Sequence, residues 1–159
     1  MEQQTVLVCI ADQPWTLNAL HLACALALNN GFPLALVKML PVRHLSWLGT
    51  DLGYENFGEQ DYIELKDYQE VAEDYGVLIV PHYFQFVTLS DAIVDAAEHV
   101  NAREVFATLP RSAIHYWRKY QLWSLAQQLQ RQQRRLHTLE HPTGLADWTP
   151  SITATATRK

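Results

Sequence analysis

Two kinds of hydrophobic pattern take turns along this chain from Thr5 to Leu139. Thr5-Val6-Leu7-Val8-Cys9-Ile10 is a short unbroken apolar run rich in β-branched residues, the signature of a strand buried on both faces of a parallel sheet. A helical stretch comes next, with Pro14 suited to its first turn, Leu17, Leu20, Cys24 and Leu28 near one stripe, and Asn30-Gly31 able to end it in left-handed backbone. Leu34-Ala35-Leu36-Val37-Lys38-Met39-Leu40 then predicts a second strand stopping at Pro41.

The alternation is interrupted once. Residues 42–60 hold several glycines and the scattered aromatics Trp47, Tyr54 and Phe57 without a sustained period, so they predict a long ordered loop. Asp61 to Tyr75 is helical again, with Leu65, Tyr68, Ala72 and Tyr75 on the apolar side, acids on the other, and Gly76 as terminator. Val77 to Phe86 reads as a strand that Pro81 confines to a bend or an edge. Thr88 is placed to cap a helix whose stripe is Ile93, Ala96, Ala97 and Val100, with Asn101 closing it. Glu104 to Leu109 predicts a further buried strand ending at Pro110. After an irregular basic loop come a helix carrying Leu122, Leu125, Ala126 and Leu129 and a last strand near Arg135 to Leu139. The whole predicts an α/β fold: an open five-stranded, mostly parallel sheet with helices on both faces. Residues 1–140 form this single domain, and residues 141–159, rich in Pro, Gly, Thr and Ala, are expected to be a disordered tail.

Composition narrows the setting. No apolar stretch approaches the roughly 20 residues that span a bilayer, and the first residues lack the basic start of a signal peptide, so a cytoplasmic location is expected. Cys9 and Cys24 lie inside apolar patterns with no partner at metal-ligand spacing, which favours buried thiols in a reducing compartment. The net charge of −5 hides an asymmetry. Asp51 to Asp74 carries many acids against the single base Lys66, whereas Val105 to Leu139 has no acid at all and holds Arg111, Arg118, Lys119, Arg131, Arg134 and Arg135. Opposed charge of this kind steers anions or orients self-association, although two solvated helix faces would look the same.

Motifs for chemistry are sparse. The seven histidines show no His-x3-His or His-Glu-x2-His spacing, so no metal is expected; His115, among bases in the loop, is the one placed to titrate usefully. There is no Gly-x-Ser-x-Gly elbow around Ser112 or Ser124 and no Gly-x4-Gly-Lys-[Ser/Thr] phosphate loop, so no enzyme activity is expected. Aromatics beside Arg118 and Lys119 could stack bases, but the negative net charge and the lack of any RNA-binding signature make nucleic acid the weaker reading. Trp, Tyr and Arg together fit a protein interface better.

Several strings in this order resemble the universal stress protein family: Thr5 to Ile10 its first strand, Ala19 to Leu28 its small-residue helix, Leu36-Val-Lys-Met-Leu-Pro-Val42 its second strand, Ser90 to Glu98 the helix after strand three, and Asn101 to Phe106 the exit into strand four. The resemblance implies a fold related to other adenine-nucleotide-binding domains. ATP-binding members carry Gly-x2-Gly-x9-Gly-[Ser/Thr] after strand four. Counted back from Ser124, the matching positions are Pro110, Ala113 and Trp123, so all three glycines are absent. Main-chain amides grip phosphate only where no Cβ intrudes, and Pro110 has no N–H to give. The family's acidic residue at the end of strand one would fall at Ala11, with Asp12 one place late. ATP or another nucleotide as cofactor is therefore disfavoured, and crowding by Pro110 and Trp123 is expected.

Two functions are compatible with these features. One is a non-catalytic protein of stress response or signalling that acts by homodimerisation and partner binding; the resemblance implies pairing through Leu136-His137-Thr138-Leu139. The other is a ligand sensor in which Asp12, Val37, Arg111, Ser112 and Ser124 line a modified cleft at the carboxyl ends of the strands, with Arg111, Arg118 and Lys119 clamping an anion in place of the glycines. A regulatory module working beside a transporter or kinase is a third possibility.

Overall fold

A computed structural model describes residues 3–42, 58–111 and 114–139. Within them five strands form one all-parallel sheet in the order β3-β2-β1-β4-β5: β1 Thr5–Cys9, β2 Leu34–Pro41, β3 Ile79–Phe86, β4 Ala102–Phe106 and β5 Arg135–His137. Between them run α1 Gln13–Asn30, α2 Glu59–Asp74, α3 Leu89–His99 and α4 His115–Arg131.

Side chains on a strand alternate between faces, so β1 feeds the core on both sides of the sheet. Val6 and Val8 join a cluster with Leu34, Leu36, Phe106, Leu20 and Cys24 of α1, and Tyr68 and Ala72 of α2. Leu7 and Cys9 join another with Val37, Met39, Val105, Ile93 and Ala96 of α3, and Leu125 and Leu129 of α4. The sheet is thus covered on both sides, α1 and α2 on one and α3 and α4 on the other. Among the described residues no helix is long and apolar enough to cross a membrane.

The element order matches expectation, and several boundaries differ. The α1 stripe is Thr16, Ala19, Leu20, Ala23, Cys24 and Ala27, whereas Leu28 is 52% exposed: small residues bring the helix close to the sheet, and the larger leucine is left outside. α2 begins at Glu59, so Glu59 and Gln60 are helical rather than loop; residues 43–57 of that loop and the 141–159 tail lie outside the described residues. Its start is closed by Asp61, whose carboxylate accepts the Gly58 N–H at 2.9 Å and also pairs with Lys38 at 3.0 Å. Both contacts hold the Asp61 carboxyl below its ordinary range, the backbone bond more strongly, against opposing desolvation. Pro81 sits in β3, the edge strand beyond β2, where a missing N–H is tolerated. β4 covers Ala102–Phe106, displaced toward the N-terminus from the expected span; Ala107 and Leu109 are buried beyond its end. Gly31, Gly76 and Asn101 take positive φ (67°, 70° and 51°) where helices end, as the turn signals required.

One carboxylate is buried in the sheet. Glu104 of β4 is 5% exposed, and its Oε2 lies 2.7 Å from His137 Nε2, with Arg135 at 3.9 Å, both from β5. His137 also stacks on Phe106 at a centroid distance of 4.6 Å. β5 is therefore joined to β4 by charge as well as by its short ladder.

Burial pushes the Cys9 thiol up to about 12 and the Cys24 thiol to about 11. Neither should react with Ellman's reagent at pH 8 in the native protein, and both should react after denaturation. Leu129→Ala, which empties a fully buried site, is expected to lower the unfolding free energy by about 2–5 kcal/mol in urea denaturation.

Candidate functional site

Because every strand is parallel, all five carboxyl ends lie on one rim, and α1, α3 and α4 begin there. The β1–α1 turn is closed by its own side chains. Asp12 is the N-cap of α1, its Oδ2 accepting the Trp15 N–H at 3.2 Å. The Thr16 hydroxyl donates to Asp12 O at 2.9 Å and accepts the Ala11 N–H at 3.0 Å. A carboxylate thus already occupies the positive end of the α1 dipole, the position an incoming anion would need.

Val37 is fully buried in β2, paired with Cys9 and His82. Its carbonyl accepts the Ile10 N–H at 2.8 Å.

A cleft of about 310 Å³ opens on the same rim between the starts of α3 and α4. Thr88, Leu89 and Ser90 line one side, and Leu109, Pro110, Arg111, Trp117 and Gln121 the other. Thr88 occupies the N-cap of α3 as its pattern predicted, but its hydroxyl makes no cap bond. α4 has no acidic residue in its first turn and no side-chain cap. The N-terminus of α4 and Arg111 therefore give this mouth positive character, whereas Asp91 in the first turn of α3 offsets the positive end of that helix.

Of the five residues expected to line a site, Arg111 borders this cleft. Asp12 and Val37 belong to the β1–α1 turn and to β2. Ser124 falls in the third turn of α4, well past the helix start. Ser112 lies outside the described residues, as does Ala113. Trp123 does not fill the β4–α4 connection: α4 starts early enough to carry it to the outer face, 44% exposed. Steric crowding after β4 thus reduces, among the described residues, to Pro110.

Arg118 also has another role than the expected anion clamp. Its Nε donates to Leu109 O and its Nη2 to Thr108 Oγ1, both at 3.1 Å, so the guanidinium fastens the β4–α4 connection to the first turns of α4. Lys119 does not line the cleft. His115 is the first residue of α4 rather than a loop residue, exposed and packed edge-on to Tyr116.

A second cavity, about 210 Å³, sits at the opposite rim between Thr5, Leu34, Val80, His82 and His99. Burial, and then the neighbouring His99, hold the His82 imidazole below its ordinary range. Pattern reading passed over the Thr88–Ser90 wall, although residues just beyond a parallel strand's carboxyl end are where such folds bind ligands. It also passed over Glu104, whose signal was a lone acid within an apolar strand.

Solved structures match this architecture closely enough to name it. A universal stress protein in complex with cAMP superposes with a TM-score of 0.61 at 18% identity, over 88% of this chain and 99% of that one. The fold is that of the universal stress proteins. A universal stress protein family member from Burkholderia pseudomallei superposes with a TM-score of 0.58 at 18% identity, covering 85% of this chain and 94% of its own. The universal stress protein from Archaeoglobus fulgidus in complex with dAMP gives 0.52 at 19% identity, over 86% and 97%. No protein-family profile matches the sequence, and no curated protein does. The universal stress fold is thus recognisable in the path of the backbone at an identity too low for sequence comparison to register.

Arg118→Met should lower the unfolding free energy by about 1–3 kcal/mol, because it leaves Leu109 O and Thr108 Oγ1 without their charged donor. Arg111→Met, at an exposed position, should change it by less than about 0.5 kcal/mol. Paired urea titrations separate the two roles.

Proposed function

We propose that this chain is a universal-stress-like protein of stress response or signalling that acts by association rather than catalysis, and that it pairs with a second copy through the outer edge of β5. The observation that carries this reading is the contrast between its rim cleft and its surface. Among the described residues the cleft lining holds a single ionisable side chain, Arg111, and its hydroxyls, Thr88 and Ser90, have no general base beside them in that lining to take a proton. The outer face of α4, in contrast, exposes Tyr116, Tyr120 and Trp123, with Trp117, half exposed, shared between that face and the cleft wall; these are residue types enriched where proteins associate. β5 supports the pairing: it ends the sheet, and an edge strand presents unpaired amides and carbonyls for another chain to meet.

A second reading has its own support. The rim cleft combines Arg111 with the acid-free N-terminus of α4, and its volume falls at the small end of the roughly 300–1,000 Å³ typical of ligand sites. Two proteins of the same fold are complexed with cAMP and dAMP. On this reading the chain senses a small anion such as a nucleoside monophosphate, held by Arg111 and, beside it in sequence, Ser112, with Asp12, Val37 and Ser124 contributing only if ligand reorganises the rim.

Native mass spectrometry of freshly purified protein distinguishes the two. A dimer, or a larger assembly built from it, without bound small molecule is expected, together with no heat in titrations against ATP, ADP, AMP and cAMP. A retained nucleotide, lost in Arg111→Ala, would transfer the conclusion to the sensor; a monomer at micromolar concentration would remove the β5 pairing.

A further inference from the structure

The two helical layers expose opposite charge. On α2, Glu59, Ile63, Lys66, Glu70 and Asp74 recur at helical spacing along one exposed face, with Glu73 beside them. Lys66 is the one base of that helix, and Ile63 and Tyr62 are 49% and 62% exposed. Beyond the other face of the sheet, α4 presents Tyr116, Trp117, Tyr120 and Trp123 as a single stripe. Three of their rings are already in contact: Trp117 and Tyr120 stack with centroids 5.8 Å apart, and Tyr120 and Trp123 lie 6.0 Å apart. Lys119 lies among the stripe's turns, the exposed Arg131 about two turns beyond Trp123 on the same helix, and Arg135 beyond that with a side chain 69% exposed; no acid occurs from Val105 to Leu139.

Rings held by one another lose little conformational freedom on binding, so such a ladder is a preorganised contact surface. Its basic border selects a partner that offers carboxylates around a small apolar patch. The chain itself carries that complement on α2: Ile63 and Tyr62 stand near its start beside Glu59, and Glu70, Glu73 and Asp74 gather at its far end, about 10 Å or more along the helix and past Lys66.

We propose that the aromatic stripe of α4 docks on the acidic outer face of α2 in a second copy of this chain. This rests on the reading of the chain as an association module and adds a contact separate from β5. Since α2 and α4 cover opposite faces of the sheet, a two-fold pair cannot make both contacts at once. One copy of such a pair keeps its acidic face unused and the other its aromatic face, so the contact is heterologous and continues from copy to copy. Pairing through β5, by contrast, is two-fold and closes at the dimer.

Sedimentation velocity on the full chain tests this in low and high salt. Species larger than a dimer are expected near about 0.1 M NaCl, with association weakened about tenfold or more near about 1 M, as the Debye length falls from about 10 to about 3 Å. Tyr120→Ser with Trp123→Ser should abolish them. Lys119→Glu with Arg131→Glu should weaken them, as should Glu70→Lys with Glu73→Lys, while mixing those two charge-reversed proteins should restore association roughly tenfold over either alone. Far-ultraviolet circular dichroism confirms that each variant is folded. Failure of the mixture to associate overturns the proposal, as does a complete absence of species above the dimer. Retention of a labelled single-stranded oligonucleotide that depends on Tyr120 and Trp123 would also overturn it, assigning the stripe to nucleic acid. A dimer that persists while larger species are absent removes this contact alone. Salt-sensitive larger species without a stable dimer remove the β5 pairing alone.

Discussion

Burial of the central strands on both faces is the constraint on which the rest of this molecule depends. β1 sends Val6 and Val8 to one side and Leu7 and Cys9 to the other, all at or near zero exposure. A strand with two apolar faces is stable only under two layers of cover, and parallel neighbours require crossovers long enough to supply them. That requirement sets α1 and α2 against one face and α3 and α4 against the other. It also directs every strand's carboxyl end to one rim, where α1, α3 and α4 begin. The location of the candidate cleft is thus a consequence of the core.

Polar groups near that core are committed mainly to holding the fold. Asp12 caps α1, Asp61 closes the start of α2, and Arg118 fastens the β4–α4 connection. Glu104 is the most demanding, since a carboxylate buried in a sheet is costly unless paired. His137 and Arg135 supply the pairing from β5. The indole N–H of Trp15 donates to Thr138 O at 2.8 Å, tying the chain just beyond β5 to α1. The last strand is short, but charge, stacking and this bond fix it from several directions. Arg111 gives the cleft its character, and the acid-free N-terminus of α4 beside it adds to that field without a glycine cradle.

Charge on the outer surfaces has its origin in the same layering. The acids from Glu59 to Asp74 belong to α2 and the described part of the acid-free run to the end of β4, α4 and β5, so a linear bias becomes a difference between two sides of a sheet. Neither bias is needed for burial. Both survive on surfaces that the core leaves unused, which makes them informative about association.

The sequence by itself determined the order and type of the nine described elements, because two-sided strands and amphipathic helices leave different periods in a chain and Gly31, Gly76 and Asn101 mark where helices end. It narrowed β3 to a bend or an edge through Pro81, which the sheet order settled as the edge, and it located the burial of both cysteines. Only the tertiary structure decided which groups meet. A one-dimensional motif count placed Trp123 and Ser124 at the mouth of a phosphate loop; the early start of α4 at His115 carries them up the helix, because the chain from His115 onward takes helical rather than loop geometry. Likewise Arg118 reads as an anion clamp until Leu109 O and Thr108 Oγ1 are seen within its reach. Periodicity records how a residue faces its own element, whereas a cleft depends on the ends of elements distant in sequence, and those are brought together only by packing.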